Sequence, residues 1–374
     1  REFFERVNTG CYSMDSVLKK TNRRTEGRLF TADLMISMAA VFCKKPVKKS
    51  RKETMKDLWK TLLFNQFHDT LGGTTVKPAR DEAIAQMTGA GAGAKKLWTA
   101  CMQEMMGQLN TRGEGFPLIL FNPSGRDYDG PMAAELNWFC KDGLILKDPK
   151  GNEIPYQRVH TTAKVRNYNI GGRRGIVFHA HVPALGFAVY RTFVGESDLC
   201  CDSRESGGAK LEGCVMENEC LRVVFDSSGA LCSLYDKKNG FEALSGPVTF
   251  PLWTDERDSW GGDQGRPFEP RSESLSFESL ELVEKGDLRQ VVRACYRLGG
   301  SVLRQDFILY GDADYVEVTN RLFWDREWQM LKMEFPLAMA EKKVWREAAY
   351  QSVCTSVQDG QEYSMHRFVD AVGP

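Results

Sequence analysis

The run Arg289–Trp324, RQVVRACYRLGGSVLRQDFILYGDADYVEVTNRLFW, decides the architecture of this chain. Apolar and polar residues alternate along it, the period-two pattern of half-buried strands. The pattern extends across Leu275–Met339 almost without interruption. Towards the N-terminus, Cys220–Gly240 (CLRVVFDSSGALCSLYDKKNG) reads as two strands joined at Asp226-Ser227-Ser228-Gly229 and closed by Asn239-Gly240. Further back, Phe178–Val194 (FHAHVPALGFAVYRTFV) and Pro117–Pro131 (PLILFNPSGRDYDGP) are again strands punctuated by turns. Strands with no helices between them imply antiparallel sheets stacked as sandwiches.

Before Gly113-Glu114-Gly115 the sequence is helical. Asp15–Cys43 is free of proline, and Val17, Leu18, Leu29, Leu34, Met38 and Val41 recur at three- and four-residue steps. A lysine-rich segment with Pro46 breaks it. A second helix is expected over 53–69, with Met55, Leu58, Trp59, Leu62 and Leu63 as its apolar stripe. Gly72-Gly73 closes that helix, and a third, over 78–109, opens on Pro78. Inside the third lies Gly89-Ala-Gly-Ala-Gly-Ala94, which should fray or loop it, each glycine costing about 1 kcal/mol against alanine. With no strand before it, that string is a poor phosphate cradle. The expected fold class is α+β and multidomain: a three-helix bundle followed by antiparallel β-sandwiches.

The chain has 374 residues, enough for two or three domains. Fifty Lys+Arg balance fifty Asp+Glu, for a formal net charge of zero. That balance argues against nucleic acid or an anionic membrane as partner. No stretch approaches the roughly 18 unbroken apolar residues of a membrane span. The opening Arg1-Glu2-Phe3-Phe4-Glu5-Arg6 is not a signal peptide, and it lacks an initiator Met, as a piece of something longer would. Eleven cysteines with no C-x-x-C exclude a zinc ribbon and point to free thiols in a reducing, cytoplasmic setting.

Of five histidines, His68 stands out, within Asn65-Gln66-Phe67-His68-Asp69-Thr70-Leu71-Gly72-Gly73-Thr74. On a continuous helix it points roughly 150° away from the Met55/Leu58/Leu62 stripe. It is therefore not a core residue; the plain reading is a solvated helix-end histidine, the sharper one a ligand reaching into another domain. His179 and His181 share one strand face, which suits either a chelating pair or an ordinary polar face. Asp255–Trp260 joins carboxylates to tryptophan, a combination suited to sugars. No spacing singles out two of the 50 acids as the pair about 5 Å apart that retaining glycoside hydrolysis uses.

Taken together, several segments resemble glycoside hydrolase family 38, the α-mannosidases. Asn65–Thr74 is similar to the family's N-Q-F-H-D-x-L-x-G-[ST] segment. Thr9–Ser13 and Leu18–Arg24 resemble the stretch that closes its catalytic domain. Leu120–Pro123 and Val182–Phe187 resemble its first β domain. Leu221–Val223, Ser233–Asp236 and Asp258-Ser259-Trp260 resemble its large sandwich, and Glu362-Tyr363 through Phe368-Val369-Asp370 a later part of it. The order holds along essentially the entire chain. Asn8, where many relatives carry His or Trp, and Gly73, in place of a Pro-Gly-Ser pattern, are departures at the rim of the site.

The resemblance implies three parts: the end of the catalytic domain with the helical bundle (1–114), a small β-sandwich (115–195), and a mutarotase-like large sandwich, truncated at its end (196–374). It implies that His68 is one of four ligands to a catalytic zinc and that Asp69, with Asp258 and Trp260, contacts the sugar. The other ligands and the nucleophile belong to an N-terminal barrel absent from this sequence, so the chain alone is expected to be inactive. The implied partners are that barrel and a mannose-containing oligosaccharide. The face meant for the barrel should drive self-association. The alternative is a β-sandwich module that binds carbohydrate or protein without catalysis.

Overall fold

The computed structural model describes residues 10–136, 143–159, 174–202, 209–210, 213–256, 269–339, 343–348, 351–355 and 363–373. After a single turn, α1 (Gly10–Ser13), three long helices follow: α2 (Ser16–Phe42), α3 (Lys49–Asn65) and α5 (Lys77–Met106), with the short α4 (His68–Leu71) between the last two. Leu18, Leu29, Met35, Met55, Leu62, Met87 and Met105 are buried together as the bundle core. No helix among the described residues is long and apolar enough to cross a membrane.

Expectations about the helices change. The glycine–alanine string does not fray α5, which runs straight through it. A Cβ on Gly91 would lie 3.1 Å from Thr25 Oγ1, and one on Gly93 2.9 Å from Leu58 Cδ2. The absence of side chains lets α5 approach α2 and α3 closely, and tertiary packing outweighs the helix propensity lost. The expected stripes are also only half correct. Leu18, Leu29, Met55 and Leu62 are buried, whereas Val17, Leu34, Val41 and Leu63 face outward.

Seven strands follow: β1 (Phe116–Asn122), β2 (Tyr128–Leu136), β3 (Ile145–Lys147), β4 (Tyr156–Val159), β5 (Arg174–Val182), β6 (Gly186–Phe193) and β7 (Cys200–Asp202). They form sheets ordered β1-β6-β3 and β2-β5-β4-β7. Leu146, Tyr156, Ile176, Phe178, Ala188 and Tyr190 fill the space between them. β7 departs from the antiparallel expectation, because the chain leaves the first sheet after β6 and enters the second parallel to β4. Arg191 of β6 donates to the carbonyls of Thr111, Arg112 and Glu114, tying this sandwich to the chain leaving α5.

The large sandwich opposes β9 (Cys214–Glu217), β10 (Leu221–Phe225), β11 (Leu231–Asp236) and β12 (Phe241–Glu242) to a five-stranded sheet. The latter comprises β8 (Ala209–Lys210), β15 (Ser276–Glu284), β16 (Arg289–Leu298), β17 (Ser301–Tyr310) and β18 (Glu317–Phe323). Met216, Val223, Phe225, Leu280, Val292, Leu303 and Phe307 form its core. Full antiparallel register joins β16 to β17, with Gly299 at φ +59° in their two-residue loop. Two three-stranded sheets complete the fold: β13 (Pro251–Thr254) with β14 (Glu269–Ser274) and β19 (Gln329–Leu331), and β20 (Lys343–Ala348) with β21 (Gln351–Thr355) and β22 (Val369–Val372).

Candidate active site

The helix expected over 53–69 breaks in two. α3 ends at Asn65, Phe67 turns to an extended conformation (φ −54°, ψ 141°), and His68 opens α4. Asn65 and Gln66, at the break, reach inward. Asn65 Nδ2 donates to Gln86 Oε1 of α5 at 2.9 Å, and Gln66 Nε2 to the buried Asn22 Oδ1 of α2 at 3.0 Å. With these amides committed to the bundle, Phe67, His68 and Asp69 are directed outward. The His68 side chain is 67% exposed, its Nε2 is 3.4 Å from Asp69 Oδ1, and its ring lies 4.2 Å from that of Phe67.

The turn beyond is closed tightly. A Cβ on Gly72 would meet the His68 carbonyl oxygen at 2.5 Å, and Gly73 has φ +87°. Thr74 donates from both its amide and its hydroxyl to the Asp69 carbonyl, at 3.1 and 3.0 Å. Lys19 Nζ donates to the carbonyls of Leu71 (2.9 Å) and Met14, lacing α2 to this turn. Burial lowers the Lys19 pKa, against the opposing pull of Asp15. Asp15 itself caps α2 by accepting from the Leu18 amide at 3.1 Å, and both its oxygens accept from Arg80 of α5.

His68 and Asp69, neighbours in sequence, thus sit side by side on an outward-facing turn that Lys19 and Thr74 close by hydrogen bonds. Asp258 and Trp260, the other sugar-contact candidates, lie outside the described residues, as do Asn8 and Thr9. A neighbour that the sequence did not signal comes from the far end of the chain. The His366 ring stacks on Tyr12 of α1 at 5.6 Å and 27°, so the β20–β22 region abuts the segment beside α4. Arg367 pairs with Glu347 of β20 in the same region. Leu63, Phe64 and Phe67 are 59, 75 and 55% exposed, an apolar collar around the His68 turn.

His179 and His181 do share a face of β5, and both approach Asp129, at 2.7 and 3.7 Å. Among the described residues no three His, Cys, Asp or Glu side chains are grouped to hold a metal ion. His68 and Asp69 offer two donor groups, short of the three or four protein ligands of a zinc site.

Residues 6–105 match the family model for the alpha mannosidase middle domain, and residues 216–371 that for the glycosyl hydrolases family 38 C-terminal domain. The chain belongs to glycoside hydrolase family 38. Alpha-mannosidase 2C1 of Homo sapiens is 24% identical over 343 residues, covering 90% of this chain and 29% of that protein. The lysosomal alpha-mannosidase of Cavia porcellus is 26% identical over 206 residues, covering 50% of this chain and 19% of its own. The fold matches the crystal structure of an alpha-mannosidase from Enterococcus faecalis V583, with TM-score 0.72 at 15% identity. That match covers 96% of this chain and 48% of the neighbour. The family 38 chain described here therefore spans less than a third of these curated relatives and about half of the solved structure.

Proposed function

We propose that this chain is the middle and C-terminal part of a zinc-dependent retaining α-mannosidase that removes terminal α-mannose from oligosaccharides. The observation that carries the reading is the outward-facing His68–Asp69 pair, anchored from behind by Asn65 and Gln66 in a chain of this family. An exposed imidazole contributes nothing to the bundle core and is free to meet a ligand outside the bundle. His68 would supply one zinc ligand, with the remaining ligands and the nucleophile coming from the N-terminal barrel of the longer enzyme. Bound zinc would attract sugar hydroxyl oxygens as a Lewis acid. Asp69 would accept from a sugar hydroxyl, with Asp258 and Trp260 as further contacts. The apolar collar of Leu63, Phe64 and Phe67 is the surface on which the barrel would seat.

A cytoplasmic setting accords with Cys43, Cys101, Cys214, Cys220, Cys232, Cys295 and Cys354, none of which is in a disulfide. The competing reading, a carbohydrate- or protein-binding module, gives no role to a tethered histidine at a helix break.

Hydrolysis of p-nitrophenyl α-mannoside with added zinc or cobalt tests the proposal. The 374-residue chain alone should give no turnover, and turnover would show that the site is complete without the barrel. In the longer enzyme, His68→Ala should lose metal and activity together, and full zinc occupancy in that variant would remove His68 from the site.

A further inference from the structure

The junction between the two sandwiches carries a cluster that the proposed function does not use. His179 of β5 places Nε2 2.7 Å from Asp129 Oδ1 of β2 and Nδ1 against Asp312 Oδ2. Asp312 belongs to the turn after β17, so the imidazole spans both sandwiches. Asp287 and Leu288, from the turn between β15 and β16, line the same cleft with Gly311, Pro131 and Phe178; its volume is about 210 Å³.

The donor count fixes the charge state. An ionised carboxylate only accepts hydrogen bonds, so an imidazole flanked by carboxylates at both nitrogens must carry a proton on each. A neutral ring would present a lone pair to one of the two aspartates. We propose that His179 is a pH-operated clasp: its imidazolium bridges Asp129 and Asp312, and loss of one proton releases the large sandwich's turn from the small sandwich.

The groups facing His179 are the carboxylates of Asp129 and Asp312, with Asp287 lining the same cleft and the His181 imidazole 3.7 Å from Asp129. The acids favour the imidazolium, and a cationic His181 beside Asp129 would oppose it. Burial pushes the His179 pKa down, but hydrogen bonds and charge from Asp129 and Asp312 outweigh this and raise it above the ordinary 6.5. The bond from His179 correspondingly holds Asp129 below its usual value. The clasp is thus complete below about pH 6.5 and fades as pH rises through the raised His179 value. At the acid end it is lost as Asp129 takes up a proton below its own lowered value.

Release would not part the sandwiches, because a weld without titrating groups lies beside the clasp. The buried Gln157 amide of β4 accepts from the Leu288 and Arg289 amides (3.2 and 2.8 Å) and donates to the Arg289 carbonyl (2.8 Å). Opening at His179 therefore frees the turn at Gly311-Asp312 while the two sandwiches stay joined at Gln157.

The test is an NMR titration of the five histidines in the 374-residue chain, with hydrogen exchange measured at the Gly311 amide, which bonds the Leu288 carbonyl. His179 should titrate above 6.5, and Asp312→Asn should lower its midpoint. Gly311 protection, corrected for intrinsic rate, should fall with rising pH by at most tenfold per unit, the limit for one proton. The fall should vanish in Asp312→Asn, a surface change that leaves the core intact. An unchanged His179 midpoint in Asp312→Asn, a wild-type midpoint at or below 6.5, or a pH-independent Gly311 would each overturn the clasp.

Discussion

Arg80 of α5 grips both carboxylate oxygens of Asp15, the residue that caps α2, with Nη2 2.9 Å from Oδ1. Asp15 holds a left-handed backbone conformation (φ 54°) to make the cap. Its side chain is 12% exposed, so the pair is partly shielded from water. Asp15→Ala should cost about 2–3 kcal/mol by urea unfolding, from the lost cap and the unpaired guanidinium. Asp15→Asn, which keeps a capping oxygen, should recover part of that loss.

The same pair makes an acid-side prediction. Burial alone would raise the Asp15 pKa, but Arg80 and the Leu18 amide hold it below the ordinary 3.8. Its contribution is complete above that value and disappears as pH falls through the lowered one. Stability measured between pH 5 and 2 should fall less steeply in Asp15→Asn than in wild type. Parallel curves would show that Asp15 does not titrate with folding.

Two glycines of the string in α5 should respond with opposite signs. Gly89 faces open space, so Gly89→Ala should stabilise by about 0.5–1 kcal/mol through helix propensity. At Gly91 the new methyl would press on Thr25, whose hydroxyl already donates to the Met87 carbonyl at 2.9 Å. Gly91→Ala should therefore destabilise, and Gly91→Val more so, as read from thermal midpoints.

Gln157 is fully buried and serves three backbone groups of the neighbouring sandwich. Gln157→Leu should strand those groups at about 1–3 kcal/mol each. Calorimetry should then resolve two unfolding transitions where the wild type has a more concerted one. A single, unshifted transition would mean that Gln157 does not couple the sandwiches.

Charged substitutions at Leu63, Phe64 and Phe67 should reduce self-association in sedimentation velocity while leaving the melting temperature within about 2 °C, because all three are already exposed. Association unchanged in the triple variant would place the sticky surface elsewhere.

The β half of the fold was the more legible in sequence. Alternation along Arg289–Trp324 is local information, and the hairpin closed at Gly229 (φ +71°) follows from the turn residues themselves. Helix faces are less legible. Leu63 follows Trp59 by four residues, a helical spacing, yet points outward, because the neighbouring helices decide which side of α3 is covered. The break at Gln66 escaped for a related reason: amides that cap inward to Asn22 and Gln86 depend on helices distant in sequence. At the candidate site, the motif singled out His68 and Asp69, but nothing local indicated that His366 would meet Tyr12.

That last stack has a kinetic consequence. Tyr12 and His366 sit near opposite ends of the chain, so their contact closes one of the longest loops it contains. Long loops lose the most configurational freedom on closure, and such contacts form after local hairpins and helices are in place. The helical bundle and each sandwich can condense on their own, whereas the neighbourhood of α1 and α4 is finished only when the final strands arrive. Assembly at this corner thus waits on a distant segment: the Tyr12–His366 stack forms only once the β20–β22 region has docked beside α1.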